Sequence, residues 1–312
     1  MISAQTATSP GRFIRLSEDN DGINAWFKGS DWGYTNGTGL DYFGPRKKQR
    51  PKIHPSLSRF SRANATNGWG IRQLMITPQK TRPFIPDKND YPYAGALIAV
   101  HTRHRAAPYH KMNMQSEWIA GLMGPASFAE QTQVFLHRLI GDPRPNGWDY
   151  QLPADLLLNY NFMFEKQVAG KNKLILVMGS NGFAGTLSDG LSVYTLLRFQ
   201  KNLDYFSGLS PQQFPVHRQK AGIAVAVKPV AGFVFYNALL QGGLFNRHSP
   251  VHDGTAKSGT ALKRNILHAG LDIMLHFSFR QFSLSFTQKI QSPDFRNYNG
   301  HKVGNISLSY GW

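Results

Sequence analysis

His137 follows Gln133 by four residues and Glu130 by seven, so on a helix the three share one face. An imidazole can accept a proton near neutral pH, which makes such a face a candidate general base. Oxygen-bearing and cationic groups lie elsewhere in the chain: Asp19-Asn20-Asp21-Gly22, Thr35, Lys80 with Arg82, and Asn89-Asp90. A histidine base, carboxylates and amides, a hydroxyl and a lysine are the ingredients of hydrolysis by an activated water. The chain has no cysteine, which removes thiolate metal sites and cysteine nucleophiles. No Gly-x-Ser-x-Gly elbow supports a serine nucleophile. Each group also has a plainer reading. Asp-Asn-Asp-Gly is a turn sequence, Thr35 is a β-branched strand residue, and a lone histidine is commonly a packed one.

Whether these residues meet depends on the elements that carry them. From Leu271 to Phe279 the odd positions are apolar and the even ones are Asp272, Met274, His276 and Ser278; the parity then reverses at Phe282, Leu284 and Phe286. Two strands joined by a tight turn near Arg280 explain both facts. Ile306, Leu308, Tyr310 and Trp312 repeat the pattern, as do Leu158, Tyr160, Phe162 and Phe164. Opposite these large side chains stand small and amide residues, which suits lipid outside and a polar lumen inside. Twelve strands are expected, near 11–19, 32–43, 69–77, 92–104, 110–123, 154–168, 172–180, 189–201, 219–241, 264–279, 281–291 and 301–312. Pro229 leaves open whether the ninth is one piece or two. Residues 127–140 break the pattern. Ser127 and Glu130 read as a capping box and Gly141 as the C′ residue of a helix. The expected fold is all-β: a closed antiparallel transmembrane barrel, one domain over 1–312, with this helix at the extracellular rim.

Composition narrows the alternatives. Charged residues make up only 17% and aromatics 12%, which argues against disorder, and no apolar run is long enough for a spanning helix. A formal charge of +17 first suggests a polyanion partner. No zinc-finger, helix-turn-helix or RNA-binding signature accompanies it, so nucleic acid is not expected.

In order along the chain, these residues resemble the LpxR-type lipid A 3′-O-deacylase family of outer-membrane barrels. The resemblance rests on Asn20-Asp21, Tyr34-Thr35-x-Gly37, Thr77-Pro78, and Asp90 to Gly95. It continues with Gly124-Pro125, then Gln133 and His137, then Gly147-Trp148-Asp149-Tyr150-Gln151-Leu152. It implies a monomer in the bacterial outer membrane, in contact with its lipids. The implied reaction is calcium-dependent hydrolysis of the 3′-acyl ester of lipid A, the lipid portion of lipopolysaccharide, at the extracellular face. Carried over residue by residue, His137 matches the catalytic histidine, and Asn20, Asp21 and Thr35 match rim residues required for activity. Lys80 matches a required lysine, with Lys88 as the alternative. The acidic position six residues after the histidine is Pro143 here, so the implied Ca²⁺ ligands are Asp21 and the adjacent Asp142. The rival reading is a non-enzymatic barrel, a channel or adhesin, that retains the scaffold. The basic stretch 44–68 falls on the periplasmic side in this topology.

Overall fold

Alternating strands can satisfy every backbone group within a membrane only by closing on themselves, and these strands do so. The computed structural model describes residues 11–25, 33–45, 64–209, 212, 220–246, 262–296 and 298–312. The strands are β1 (Phe13–Asn20), β2 (Gly33–Pro45), β3 (Asn64–Thr77), β4 (Ala94–Ala107), β5 (Met112–Met123) and β6 (Asp155–Lys171). They continue as β7 (Leu174–Gly185), β8 (Ser188–Lys201), β9 (Gly222–Asn237), β10 (Leu267–Phe279), β11 (Phe282–Gln291) and β12 (His301–Gly311). Each pairs antiparallel with its sequence neighbours, and β1 closes on β12 from Phe13↔Gly311 to Asn20↔Gly304. Among the described residues two α-helices lie between strands: α1 (Ala129–Ile140) and the one-turn α2 (Ala238–Gln241).

The expected faces are present. Leu275, Phe277, Leu284, Ile306, Leu308 and Tyr310 are exposed on the outside, while His276, Ser278, Ser283 and Ser309 are buried inside. Trp69, Phe279, Phe282, Tyr310 and Trp312 supply exposed rings near the end of the barrel that carries the short hairpins. One hairpin turns at Arg280, whose φ is 53°. The opposite rim carries the long segments after β1, β3, β5, β9 and β11, and every candidate residue named above lies on it or at its edge.

β9 is a single strand. Pro229 lacks an N–H, and pairing toward β8 lapses between Tyr194↔Val230 and Leu197↔Val227. The ladder toward β10 continues through Leu271↔Pro229, so one neighbour holds the strand together. The basic run 46–52 lies outside the described residues.

Near the hairpin end, polar side chains pair across the lumen. Asp41 accepts from Arg15 at 2.7 Å, and Glu165 accepts from Tyr194 at 2.8 Å and Asn113 at 3.0 Å. The segment after β8 folds inward: Phe206 is buried, Tyr205 donates to Glu165, and Asn64 donates to the Ser207 carbonyl at 3.0 Å.

Candidate active site

α1 is set against the rim by small residues and one side-chain clamp. Gly124, at φ +85°, leads into a 3-10 turn at Pro125–Ser127, and Phe128 at φ 58° begins the helix. The capping box is therefore not formed as expected. Ser127 is buried one turn early, its Oγ 3.4 Å from the Ala129 N–H, and Gln73 of β3 donates to its carbonyl at 2.7 Å. A Cβ on Gly95 would stand 2.3 Å from both Ala129 Cβ and Ser127 Oγ, so only glycine lets α1 approach β4 this closely. Trp148 packs on Tyr93 at 4.9 Å and donates its indole N–H to Gln133 at 2.7 Å. Burial raises the Tyr93 phenol well above its ordinary range, so it stays a donor, to the Thr81 carbonyl at 3.1 Å.

The face of α1 turned inward is Ala129, Gln133 and His137. Gly141 ends the helix in the left-handed region, and the amides of Gly141 and Asp142 both donate to the His137 carbonyl. That reversal folds residues 142–143 back over the histidine. Nδ1 of His137 comes to 2.7 Å from the Pro143 carbonyl and 3.4 Å from the Asp142 carboxylate. A carbonyl only accepts, so Nδ1 carries the proton, and in the neutral ring Nε2 is the bare nitrogen. A backbone oxygen thus orients the imidazole at the position where the resemblance places an acid.

Across the rim, Asp21 sits just past the end of β1 and is 3% exposed. Its amide donates to the Thr35 carbonyl at 3.2 Å. Thr35 is a β-bulge: β2 pairs with β3 through Tyr34↔Ile76 and then Asn36↔Met75, leaving Thr35 without a register partner on β3. The bulge lets Thr35 and Asn36 both be buried, and Thr35 Oγ1 lies 3.4 Å from Thr77 Oγ1 at the end of β3. Asn20 does local work, accepting from the Gly22 amide at 2.7 Å in an Asx turn.

Thr77 leads directly to Lys80. Asp90 pins that segment by accepting from the amides of Gln79 at 2.8 Å and Lys80 at 3.4 Å. Lys80 then lines a cleft of about 440 Å³ with Gln79, Thr81, Arg82, Pro83, Asp142 and Pro143. Lys88 is exposed and is not among those lining residues. Neighbour by neighbour, the rim joins Asp21, Thr35, Thr77, Lys80, the Asp142–Pro143 turn and His137. Among the described residues no three His, Asp or Glu side chains gather as a metal cluster. Asp142 belongs with His137. A calcium ion here would draw on one carboxylate, Asp21, and on neutral oxygens such as the Thr35 hydroxyl, which fit a hard cation in kind.

A further group on this rim had no signature in the sequence. Asp294 accepts from His301 Nε2 at 2.7 Å and from the Tyr91 hydroxyl at 3.4 Å, with His268 Nδ1 at 3.9 Å. Burial pushes the Asp294 carboxyl up, but the His301 hydrogen bond and the nearby His301, His268 and Arg264 charges outweigh it. The net shift is below the ordinary carboxylate range.

Comparison with known proteins agrees with this architecture. The family model for outer membrane protein LpxR matches residues 1–312. The solved structure of LpxR from Salmonella typhimurium superposes with a TM-score of 0.75 at 14% identity, covering 96% of this chain and 100% of that one. The β domain of the Bordetella autotransporter BrkA gives a TM-score of 0.45 at 7% identity over 98% of this chain and 99% of that one, too low to add to the architecture. No curated protein sequence matches the chain.

Proposed function

The chain belongs to the outer membrane protein LpxR family, and from that premise we propose that it hydrolyses the 3′-acyl ester of lipid A, a component of lipopolysaccharide, at the extracellular rim. The observation that carries the proposal is the orientation of His137, whose Nδ1–H is held by the Pro143 carbonyl at 2.7 Å. That bond leaves Nε2 as the proton acceptor on a rim that also holds buried oxygens and a lysine.

His137 Nε2 takes a proton from water as the water attacks the ester carbonyl, and the Pro143 carbonyl and Asp142 carboxylate favour the imidazolium that forms. The same imidazolium then returns the proton to the departing sugar oxygen. Lys80 supplies positive charge beside the developing oxyanion. A bound calcium ion, held by Asp21 with neutral oxygens such as the Thr35 hydroxyl, would polarise the ester carbonyl. Asn20 shapes the turn that presents Asp21.

Two observations favour this reading over a channel. Asp41 and Glu165, in the hairpin half of the lumen, are buried and paired with Arg15, Tyr194 and Asn113, whereas conduction needs a wet path. Pro143, where the resemblance places an acid, still offers its carbonyl to orient His137. The test is mass spectrometry of lipid A from cells with and without the protein. Loss of the 3′-acyl mass only where the protein is present supports the proposal; identical spectra reject it.

A further inference from the structure

We propose that the cleft between the segment after β3 and the end of α1 docks the phosphate of a phosphorylated glycolipid, while apolar side chains flanking it sit in the acyl layer. This rests on the deacylase reading and states how that substrate is gripped.

The cleft is cationic and built. Lys80 and Arg82 line it, and the Asp142 carboxylate, the one acid among the described lining residues, is turned to His137 at 3.4 Å. Arg144 follows Pro143 with its side chain 70% exposed, and its carboxylate partner Glu130 is 4.0 Å away. Hydrogen bonds tie the two walls together: the Asn146 amide donates to the Thr81 carbonyl at 2.9 Å, and its side chain to the Arg82 carbonyl at 2.8 Å. Guanidinium groups carried on such tied walls suit phosphate, whose oxygens can accept paired hydrogen bonds.

The flanks are apolar. Phe84 and Ile85 are 74% and 66% exposed on one wall, and Leu139 and Ile140 are 71% and 73% exposed on the other. α1 has its polar Gln133 and His137 turned inward and its large apolar residues outward, the inverse of a helix facing water. Exposed Leu122 and Leu156, at the strand ends on either side of the α1 segment, carry the lipid-facing belt up to this point. Cations inboard and apolar side chains outboard match one ligand chemistry: an anionic headgroup with acyl chains.

Two measurements test this without relying on turnover. The chain has no cysteine, so Ile140→Cys gives a single site for a nitroxide label. In bilayers the label should collide with oxygen and be shielded from a water-soluble nickel complex, as a label at Leu158→Cys on the belt is. Nickel accessibility equal to that at Lys201→Cys, on the opposite rim, would overturn the acyl-layer placement. In mixed micelles, the protein should bind phosphorylated lipid A more tightly than the same lipid with its phosphates removed. Arg82→Gln with Arg144→Gln should weaken binding of the phosphorylated lipid about tenfold, leave the other unchanged, and raise KM rather than lower kcat. Lys201→Gln should do neither. Equal wild-type affinity for the two lipids, or an unaltered double variant, would overturn the phosphate site. Neither failure would touch the deacylase reading, and absent turnover would leave the binding result standing.

Discussion

His137 and His276 are equally buried, and their surroundings differ in one decisive way. His276 faces the lumen from β10 with both nitrogens taken, Nδ1 by Ser285 Oγ at 2.7 Å and Nε2 by Ser278 Oγ at 2.8 Å. His137 has one nitrogen, Nδ1, taken by a backbone carbonyl, on a rim that also carries Lys80 and buried oxygens. The first histidine ties two strands together. The second has an acceptor to spare. Burial therefore does not separate a structural histidine from a chemical one; the number of committed nitrogens does.

The comparison breaks most completely if the groups across the rim are removed. Asp21→Ala, or excess chelator on the wild type, should lower deacylation about 10²-fold to 10³-fold, the range for losing an oxyanion stabiliser. Added calcium should restore the chelated wild type but not the variant. Turnover that persists undiminished in chelator would remove the metal from the account.

Displacing the helix is the next largest effect. Gly95→Val puts side-chain atoms where Ala129 and Ser127 stand, so α1 and His137 must shift outward. A displacement near 1 Å can cost about 10²-fold. Activity should fall by that order while the barrel still migrates as a folded species on unheated gels. Unchanged activity would mean that His137 is not positioned through this contact.

Much of this was legible beforehand, for physical reasons that particular residues show. Strict alternation from Leu271 to Phe286 and at Ile306 to Trp312 has period two, and only a lipid-facing sheet keeps large apolar groups on the outer face. The Gln133 and His137 spacing placed both on one side of a helix, while Glu130, which the same spacing grouped with them, is only half-buried. What stayed hidden were features with no residue type attached. The Pro143 carbonyl is a backbone atom, brought to His137 by the turn at Gly141. The bulge at Thr35 depends on register with β3, and the Asp294–His301 pair depends on how the segment after β11 closes. Ser127 misled because a cap needs the helix to begin beside it, and the 3-10 turn intervenes.

A smaller change sharpens the comparison at its centre. If the Pro143 carbonyl is the principal partner of Nδ1, the Asp142 carboxylate at 3.4 Å is secondary. Asp142→Asn should then lower kcat only about threefold to tenfold, in keeping with a half-exposed partner, as read from initial rates on lipid A micelles. A loss as large as that of His137→Ala would reverse the order of the two partners.

The smallest effect concerns His301, whose Nε2 is committed to Asp294. Because the Asp294 carboxyl is depressed in the folded protein, its contribution is present above the unfolded value of about 3.9. It is lost as pH falls through the lower, folded value. The amides of Asn265 and Arg296, which bond across this group, should stay protected from hydrogen exchange at pH 5 and lose protection only below about pH 4. Early loss near pH 5 would show that Asp294 is not held down by His301.

The central claim is that His137 is the base and that His276, equally buried, is not. The direct measurement is removal of the 3′-acyl group from lipid A by His137→Ala and His276→Ala, followed by mass spectrometry at equal outer-membrane abundance. The account predicts about a 10²-fold to 10⁴-fold loss for His137→Ala and near-wild-type turnover for His276→Ala. Near-wild-type turnover of His137→Ala would contradict it.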